Sequence, residues 1–232
     1  MTLVVLAGGR SRRMGFDKAE ATLAGEGMLA RMLANLAGSF AEVVVAGGRG
    51  KGASRSRQPS AVSYQPSEEG GARGGTSDEE RGKREERQRG RGEGVRVVED
   101  EFPGAGPLAG IHAGLRESRT EWNFCVACDM PLLAKDVAER LLAHTGDFAG
   151  VQAVVPVLAR GLEPLAGLYR RDGVSAVEKV IRAGGRRIVW ALADLRVALV
   201  GEEEFEKAED WFFNVNTPAE LEEAERRLRA RR

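Results

Sequence analysis

Short apolar runs alternate with longer amphipathic stretches along most of the chain. The apolar runs are continuous and rich in β-branched residues, which is typical of strands that are buried on both faces of a parallel sheet. We therefore predict strands at Leu3–Leu6, Val43–Ala46, Val95–Val98, Phe124–Ala127 and Ala153–Val157.

The stretches between these runs have helical periodicity, with apolar residues three or four positions apart. The second of the two clearest helices is expected to begin beside Pro107 and to end near Gly114. The apolar stripes are Met28, Leu29, Met32, Leu33 and Leu36 in the first helix, and Leu108, Ile111 and Leu115 in the second.

The last predicted helix begins within the sequence TPAEL. Thr217 is a candidate N-cap, Pro218 suits the first helical turn, and Glu220 completes a capping box. The residues expected to face inward from this helix are Leu221, Ala224 and Leu228.

This order of elements predicts an α/β fold in which a mostly parallel sheet carries helices on both faces. Residues 1–232 are expected to form a single domain. In sheets of this kind, ligands bind outside the carboxyl ends of the strands. The segments that directly follow the strands are therefore the places to look for chemistry.

Residues 50–94 interrupt the pattern. This segment contains ten Lys or Arg and eight Asp or Glu, and its only bulky apolar residues are Val62 and Tyr64. Such a composition buries too little apolar surface to offset the entropy lost on ordering. We predict a disordered, mixed-charge insertion within the domain. A basic arm that binds RNA is the alternative, which the interleaved acids and the scarcity of aromatic residues disfavour.

The charges of the whole chain balance, with 35 Lys and Arg against 35 Asp and Glu. No bulk attraction to nucleic acid or to a membrane surface is expected, so any anion site must be local. No apolar run reaches the length of about 18 residues that a transmembrane helix needs. The first apolar run is also too short for a signal peptide, which favours a cytoplasmic location.

Cys125 and Cys128 form one C-x-x-C pair, a spacing found in redox and zinc sites. They lie in an apolar run that predicts a buried strand, where residues three positions apart point to opposite faces. We therefore predict two structural cysteines that do not pair.

The segment LAGGRSRRMGFDK, residues 6–18, follows the first predicted strand. Gly8 and Gly9 allow the backbone to approach a ligand closely with its N–H groups turned toward it. Arg10, Arg13 and Lys18 can neutralise a chain of phosphates. The segment matches neither the P-loop nor the dinucleotide fingerprint, and a solvated surface turn is the alternative interpretation.

A glycine-rich segment, VVEDEFPGAGPLAGIHAGL, spans residues 97–115. It mimics a dinucleotide fingerprint, but its glycine spacing differs and Pro107 removes one N–H group, so we treat that similarity as misleading. Asp100 lies just past a strand end, where its carboxylate could accept hydrogen bonds from a ribose or a base. An ordinary turn aspartate is the alternative.

The sequence ACDMP, residues 127–131, ends another apolar strand with an acidic residue. Pro131 prevents the strand from continuing, which places the Asp129 carboxylate at the carboxyl edge of the sheet. A carboxylate there suits Mg²⁺, which typically takes one or two protein carboxylates together with substrate phosphates. An N-cap for the following helix is the alternative role for Asp129.

Taken together, these motifs resemble those of the nucleotidyltransferase family that includes the molybdenum cofactor guanylyltransferases. The resemblance covers nearly the whole chain outside residues 50–94. The motifs occur in the family's order as LAGGRSRRMGFDK, VVED followed by GPLAGIHAGL, CDMP, EPLAGLY and NVNTPAEL.

The resemblance implies a Rossmann-like nucleotidyltransferase fold and a reaction in which GMP passes from GTP to the terminal phosphate of molybdopterin. Pyrophosphate would leave, and Mg²⁺ would be the cofactor. Transient contacts with other molybdenum-cofactor proteins or apo-molybdoenzymes would follow, without nucleic acid or membrane as partners.

Carried over position by position, the resemblance also implies site residues. Lys18 and Arg13 would stabilise charge on the leaving pyrophosphate, and Asp129 would bind both nucleotide and metal. Ala46 stands where some members carry a nucleotide-binding Asn, so that contact is in doubt here. The nucleotide site would comprise Leu6, Ala7, Gly8, Gly9, Lys18, Asp100 and Asp129, and the acceptor side Asn214 and Asn216.

Two alternatives to guanylyl transfer remain open at this point. One is a sibling enzyme, either a cytidylyltransferase or another small-phosphate nucleotidyltransferase; Gly8 and Gly9 in LAGG resemble the guanylyl type. The other is a non-catalytic nucleotide-binding assembly protein that uses the insertion to contact partners.

Overall fold

The structure, a computed structural model, describes residues 1–7, 22–47 and 94–230. In these ranges the strands are β1 (Thr2–Leu6), β2 (Thr22–Leu23), β3 (Glu26–Gly27), β4 (Glu42–Ala46), β5 (Arg96–Val98), β6 (Trp122–Ala127), β7 (Ala153–Leu158), β8 (Gly161–Leu162), β9 (Ala166–Arg170) and β10 (Val197–Gly201). The α-helices are α1 (Met28–Leu36), α2 (Pro107–Glu117), α3 (Lys135–Ala143), α4 (Val174–Arg182), α5 (Ile188–Leu192), α6 (Ala208–Trp211) and α7 (Pro218–Ala230).

Within the described residues, eight strands form one mixed, mostly parallel sheet, in the order β10-β7-β9-β6-β1-β4-β5 with β8 added to β7. β1 pairs in parallel with both β4 and β6, and β4 pairs in parallel with β5. β9 runs antiparallel to both of its neighbours, β6 and β7. The prediction of a mostly parallel sheet is confirmed.

Helices cover both faces of this sheet, as the alternation of elements predicts. One face packs against α1 and α3 through a core cluster that includes Leu33, Val137 and Phe124. The other face packs against α2, α4 and α5 through a cluster that includes Ile111 and Val177. Every residue of β1 is buried because helices lie above and below it.

Cys125 and Cys128 lie in these two opposite clusters; both are buried, and no disulfide joins them. Burial raises the pKa of the Cys125 thiol well above its ordinary value, so the group stays neutral. The prediction that the two cysteines do not pair with each other is confirmed.

A third, smaller core cluster lies under α7. It joins Leu23 of β2 to Leu132, Val215 and Ala224. The turn between β2 and β3 has two residues with positive φ, Ala24 at 52° and Gly25 at 84°. The Ala24 amide donates to Glu225 Oε1 of α7 at 2.9 Å, which fixes this turn against the last helix.

The capping box of α7 is present in a shifted form. The amide of Glu220 donates to Thr217 Oγ1 at 3.2 Å, as expected of an N-cap threonine. The Glu220 carboxylate accepts from the amide of Asn216 at 2.7 Å, one residue earlier than in the usual box. The cap therefore stabilises the loop before the helix as well as the helix itself.

Two details of the predicted elements are wrong. α2 continues through Gly114 to Glu117. A Cβ on Gly114 would lie 2.3 Å from Val4 Cγ1. Glycine at that position permits close packing of the helix on the sheet and does not end the helix. β5 is an edge strand whose Val97 is 58% exposed, so it is not buried on both faces.

Most of the predicted insertion, residues 50–93, lies outside the described residues. Among the helices that the structure describes, none is long and apolar enough to cross a membrane.

Candidate functional site

The carboxyl edge of the sheet is held together by hydrogen bonds between neighbouring strand ends. The Ala7 amide donates to the Ala46 carbonyl at 2.8 Å, and the Cys128 amide donates to the Leu6 carbonyl at 3.3 Å. The Gly47 amide continues the series to the Val98 carbonyl at 3.3 Å. The ends of β5, β4, β1 and β6 thus form one continuous backbone ledge.

Leu6 and Ala7 stand at the centre of this ledge. The Leu6 side chain is 6% exposed and packs in the core beneath α2. Leu6 can therefore meet a ligand at this edge only through its backbone, whereas the half-buried Ala7 is the last described residue before the signature segment. Gly8, Gly9, Arg10, Arg13 and Lys18 lie outside the described residues.

Ala46 ends β4 beside Ala7 and is 1% exposed. Its methyl group offers no polar contact, and its carbonyl already accepts from Ala7. A side-chain hydrogen bond to a nucleotide is therefore absent at this position, as the sequence indicates.

Asp129 lies two residues beyond the end of β6 and is half-buried. Its carbonyl accepts from the Val215 amide at 2.8 Å, which ties the turn after β6 to the segment that precedes α7. The alternative role as a helix cap is wrong, because α3 begins at Lys135 and its N-cap residue is Ala134. The sheet edge and the bond from Val215 thus hold the backbone of Asp129 in place.

Asn214 and Asn216 flank Val215, and both are half-buried. Val215 itself is fully buried in the cluster under α7. The Val215 amide donates to the Asp129 carbonyl, so Asn214 and Asn216 lie on either side of the residue that contacts Asp129. The structure thus brings Asn214, Asn216 and Asp129 into one corner of the edge.

Asp100 lies two residues beyond β5, at the far end of the same ledge. It is half-buried, and its Oδ1 is buried with no hydrogen-bond partner among the described residues. Burial raises the pKa of the Asp100 carboxyl above its ordinary value. A turn aspartate with only a structural role would be expected to bond to local backbone N–H groups, so this orphaned oxygen supports a ligand contact.

The segment that joins Asp100 to α2 depends on its glycines. Gly104 and Gly106 have φ angles of 89° and 65°, which other residues rarely adopt. Within α2, a Cβ on Gly110 would lie 2.7 Å from Leu6 Cδ2. The glycines therefore serve the turn and the close approach of helix to strand, which explains their resemblance to a dinucleotide fingerprint.

A family model described as the MobA-like NTP transferase domain matches residues 3–77 and 80–197 of the chain. This match covers well over half of the sequence and includes the four strands whose ends form the ledge. The chain belongs to the MobA-like NTP transferase family.

Relatives and solved structures of this family agree. The chain is 33% identical over 226 residues to a protein from Pelotomaculum thermopropionicum named "Probable molybdenum cofactor guanylyltransferase", covering 96% of this chain and 91% of the relative. A relative from Peptoclostridium acidaminophilum with the same name is 28% identical, over 94% of this chain and 85% of its own. The crystal structure of molybdopterin-guanine dinucleotide biosynthesis protein A from Archaeoglobus fulgidus superposes with a TM-score of 0.71 at 27% identity, covering 99% and 100% of the two chains.

The resemblance to molybdenum cofactor guanylyltransferases that the motifs indicate is therefore confirmed, as is the nucleotidyltransferase fold. The chain is a nucleotidyltransferase by family. The description of the family names nucleoside triphosphates (NTP) as the substrates of the transfer.

The acidic residues at the carboxyl edge of the sheet do not form a complete metal-binding site by themselves. Among the described residues, no group of three or more His, Cys, Asp or Glu side chains could hold a metal ion. A single carboxylate at the sheet edge, Asp129, is nevertheless the donor set that Mg²⁺ uses when substrate phosphates supply the remaining ligands. The residues present fit a metal that is shared with a nucleotide.

Sequence reasoning missed one part of the site. β9 runs antiparallel, so its start at Ala166 lies opposite Val126, near the carboxyl end of β6. The residues before β9 therefore reach the same edge, and the Ala127 amide donates to the Leu165 carbonyl at 3.0 Å. The EPLAGLY motif indicates this arrangement in the sequence. Its acidic residue and proline precede an apolar run, whereas Asp100 and Asp129 each follow one.

Proposed function

We propose that this protein transfers GMP from GTP to the terminal phosphate of molybdopterin and releases pyrophosphate. The observation that carries the proposal is the corner in which Asp129 is fixed by Val215 between Asn214 and Asn216, in a chain whose relatives bear the name of that activity. The corner would place the acceptor beside Asp129, the residue that would bind the nucleotide and its metal ion.

A nucleotide would extend along the ledge between its two acidic residues. The strands that lead to Asp100 and Asp129 are three positions apart in the sheet, or about 14 Å at about 4.8 Å per strand. Such a separation suits two ends of one extended ligand better than one shared metal ion. Asp100 would accept from the ribose or base, and the backbone of Leu6 and Ala7 would lie beneath the nucleotide.

The reaction requires no covalent bond between the protein and a substrate. An oxygen of the acceptor phosphate attacks the α-phosphorus of GTP, the bond from the α-phosphorus to the bridging oxygen breaks, and pyrophosphate leaves with the electron pair. Because the phosphate is already an anion, no general base is needed. Orientation of the two substrates and stabilisation of charge are then the main contributions to rate.

Asp129 would hold Mg²⁺ together with the substrate phosphates. When bound, the ion would neutralise negative charge on the phosphates. We extend the proposal to Lys18 and Arg13, which would stabilise charge on the leaving pyrophosphate, and to Gly8 and Gly9, which would line the nucleotide. These four residues lie outside the described ranges, so the proposal for them rests on their place in the motif.

The assay for this function is pyrophosphate release, measured with GTP, CTP, ATP and UTP, each with and without molybdopterin. We expect release with GTP that depends on molybdopterin. Losing hydrogen bonds to the base costs about ten- to a hundredfold per unpaired group, so CTP should be turned over at least tenfold more slowly. Equal turnover of CTP and GTP would contradict the guanylyl assignment and leave the fold unaffected.

We also propose that residues 50–94 are an insertion within a single domain and are dispensable for the reaction. Replacing them with a short Gly/Ser loop is expected to leave most of the turnover intact. A hundredfold loss of activity in a deletion variant that still folds would give the segment a role in binding substrate.

A further inference from the structure

We infer that Arg160 and Glu163 are positioning residues for the acceptor substrate. They hold the segment Phe212–Asn216, which we name the acceptor loop, against the start of β9. The inference deepens the proposed function and rests on it, because the acceptor role of Asn214 and Asn216 belongs to that proposal.

One nitrogen of Arg160 makes both contacts. Its Nη2 donates to Glu163 Oε2 at 2.7 Å and to the carbonyl of Phe212 at 2.7 Å. A terminal guanidinium nitrogen carries two N–H groups in a fixed plane, so it can serve two acceptors at once. Hydrogen bonds from a charged donor are shorter and stronger than neutral ones. Arg160 therefore bridges two segments that are far apart in sequence.

Glu163 gives the bridge a rigid base. It is 9% exposed, although it carries a carboxylate. Its amide donates to the Pro156 carbonyl at 2.9 Å, and its carbonyl accepts from the Ala166 amide at 3.2 Å. A carboxylate buried to this extent needs a charged partner, and Arg160 supplies it. The pair is thus fixed to the sheet by β7 on one side and β9 on the other.

The amides of Phe212 and Phe213 bond locally to the carbonyls of Ala208 and Asp210, and the Arg227 guanidinium lies 4.4 Å from the centroid of the Phe213 ring. The other attachments of the acceptor loop include three hydrogen bonds. Arg160 holds the carbonyl of Phe212, the Val215 amide bonds to Asp129, and the Asn216 amide bonds to Glu220. Asn214 lies between the first and second attachments, and Asn216 lies between the second and third. The Phe212 side chain is fully buried in the core, so the loop starts from a fixed residue.

A mutation can release the first attachment without disturbing the other two. Removing the Arg160 side chain leaves the Val215 bond to Asp129 and the Glu220 cap in place. The expected result is greater freedom at Asn214 with an unchanged position of the Asp129 carboxylate. Binding of the acceptor should suffer while binding of the nucleotide does not.

The experiment compares Arg160→Ala with Arg170→Ala in steady-state kinetics. Arg170 makes an ion pair with Asp172 at the opposite end of β9, away from the carboxyl edge, and is the matched control. In Arg160→Ala, the KM for molybdopterin is expected to rise about tenfold, the loss expected for one charge-assisted hydrogen bond. The kcat and the KM for GTP should stay within about twofold of wild type, and Arg170→Ala should match wild type in all three.

Conservative variants separate positioning from bulk stability. Arg160→Lys keeps a charge beside Glu163 but lacks the planar fork that serves both acceptors, so its KM for molybdopterin should fall between those of wild type and Arg160→Ala. Glu163→Gln keeps an acceptor for Arg160 and should have a smaller effect than Glu163→Ala. Thermal melts of every variant exclude global unfolding as the cause.

A second measurement tests the bridge without turnover. Amide hydrogen exchange at Phe213 and Asn214 should accelerate in Arg160→Ala and stay unchanged in Arg170→Ala, whereas the amide of Val215, which keeps its bond to Asp129, should exchange at the wild-type rate in both. Equal KM values for molybdopterin in the two variants, or unchanged exchange at Phe213 and Asn214, would overturn the inference. Absence of molybdopterin-dependent turnover in the wild-type protein would instead contradict the proposed function, and with it the acceptor role assigned to the loop.

Discussion

The two edges of the central sheet each carry a partly or fully buried carboxylate, and they treat it in opposite ways. At the amino edge, Glu42 is 7% exposed and accepts hydrogen bonds from Thr2, from Arg96 and from the Arg119 amide. At the carboxyl edge, Asp100 has a buried oxygen with no hydrogen-bond partner among the described residues.

The pKa values reflect this difference. Burial raises the pKa of the Glu42 carboxyl, but the bonds from Thr2, Arg119 and Arg96 outweigh burial and bring the pKa below its ordinary value. For Asp100, burial acts without such bonds and raises the pKa. One carboxylate is stabilised as an anion by the fold, and the other is destabilised as an anion by it.

Other polar side chains at the amino edge besides Glu42 are also hydrogen-bonded. Thr2 also contacts Ser118 at 2.9 Å and Thr120 at 2.6 Å, so the start of β1 is joined to the segment after α2. Glu42 and Thr2 at this edge stabilise the fold. At the carboxyl edge the buried oxygen of Asp100 has no partner among the described residues, a cost in stability of the kind expected where function requires it.

The largest expected effect comes from Asp129, at the carboxyl edge. Asp129→Asn keeps the shape of the side chain but removes its charge, and the rate is expected to fall by about 10²–10³. Raised Mg²⁺ should recover part of the loss. Because the Asp129 carbonyl still accepts from Val215, the melting temperature should stay close to wild type, as a circular dichroism melt would check. A large drop in melting temperature with normal kcat would place Asp129 among the structural carboxylates.

Glu42 should show the reverse pattern. Glu42→Ala removes an acceptor that Thr2, Arg96 and the Arg119 amide share, and is expected to lower the free energy of unfolding by about 2–3 kcal/mol. The kcat and KM values of the folded variant should not change, because the residue lies at the far edge. Chemical denaturation measures the first quantity and pyrophosphate release the second. A stable Glu42→Ala variant with impaired catalysis would break the distinction between the two edges.

Asp100→Asn is expected to stabilise the protein while weakening nucleotide binding. Removing a carboxylate that the fold disfavours should raise the free energy of unfolding by about 1 kcal/mol, or the melting temperature by about 2–4 °C. The KM for GTP should rise in the same variant. If the variant is less stable than wild type, Asp100 must have a structural partner in solution.

The smallest expected effect is the pH dependence of stability, for which Glu42 and Asp100 should differ in sign. The folded-state pKa of Glu42 is below the ordinary 4.5, so its contribution is present above that value and is lost as pH falls through the folded pKa. The folded-state pKa of Asp100 is above the ordinary 3.8, so ionisation of Asp100 destabilises the fold as pH rises past that value. Relative to wild type, Glu42→Gln should therefore lose stability as pH rises, and Asp100→Asn should gain it. Denaturation curves between pH 3 and 7 would contradict this contrast if both variants diverged from wild type in the same direction.

The parts of the fold that sequence alone predicts are those with local signals. The continuous apolar run at Val43–Ala46 and the stripe from Met28 to Leu36 each match an observed element to within one residue. Thr217 and Glu220 predict the start of α7, since a capping box depends only on residues three apart. The acidic residues after β5 and β6 were found because the carboxyl ends of parallel strands are where ligands bind.

The rest depends on contacts between residues that are distant in sequence. Glu42 bonds to Thr2, 40 positions earlier, and no periodicity marks that pair. The β2–β3 turn was missed because Ala24 is not a residue that favours positive φ. β9 was missed as a strand of the candidate site because it runs antiparallel to its neighbours, so the residues that reach the carboxyl edge precede it.

The close packing of α2 on β1 has a consequence for how this chain can change over generations. The space that a Cβ on Gly114 would need is filled by Val4, and the space at Gly110 is filled by Leu6. A larger residue in the helix therefore calls for a smaller one in the strand. Positions 4 and 114, and likewise 6 and 110, should be inherited as matched pairs, with each acceptable substitution in one defined by the volume of the other.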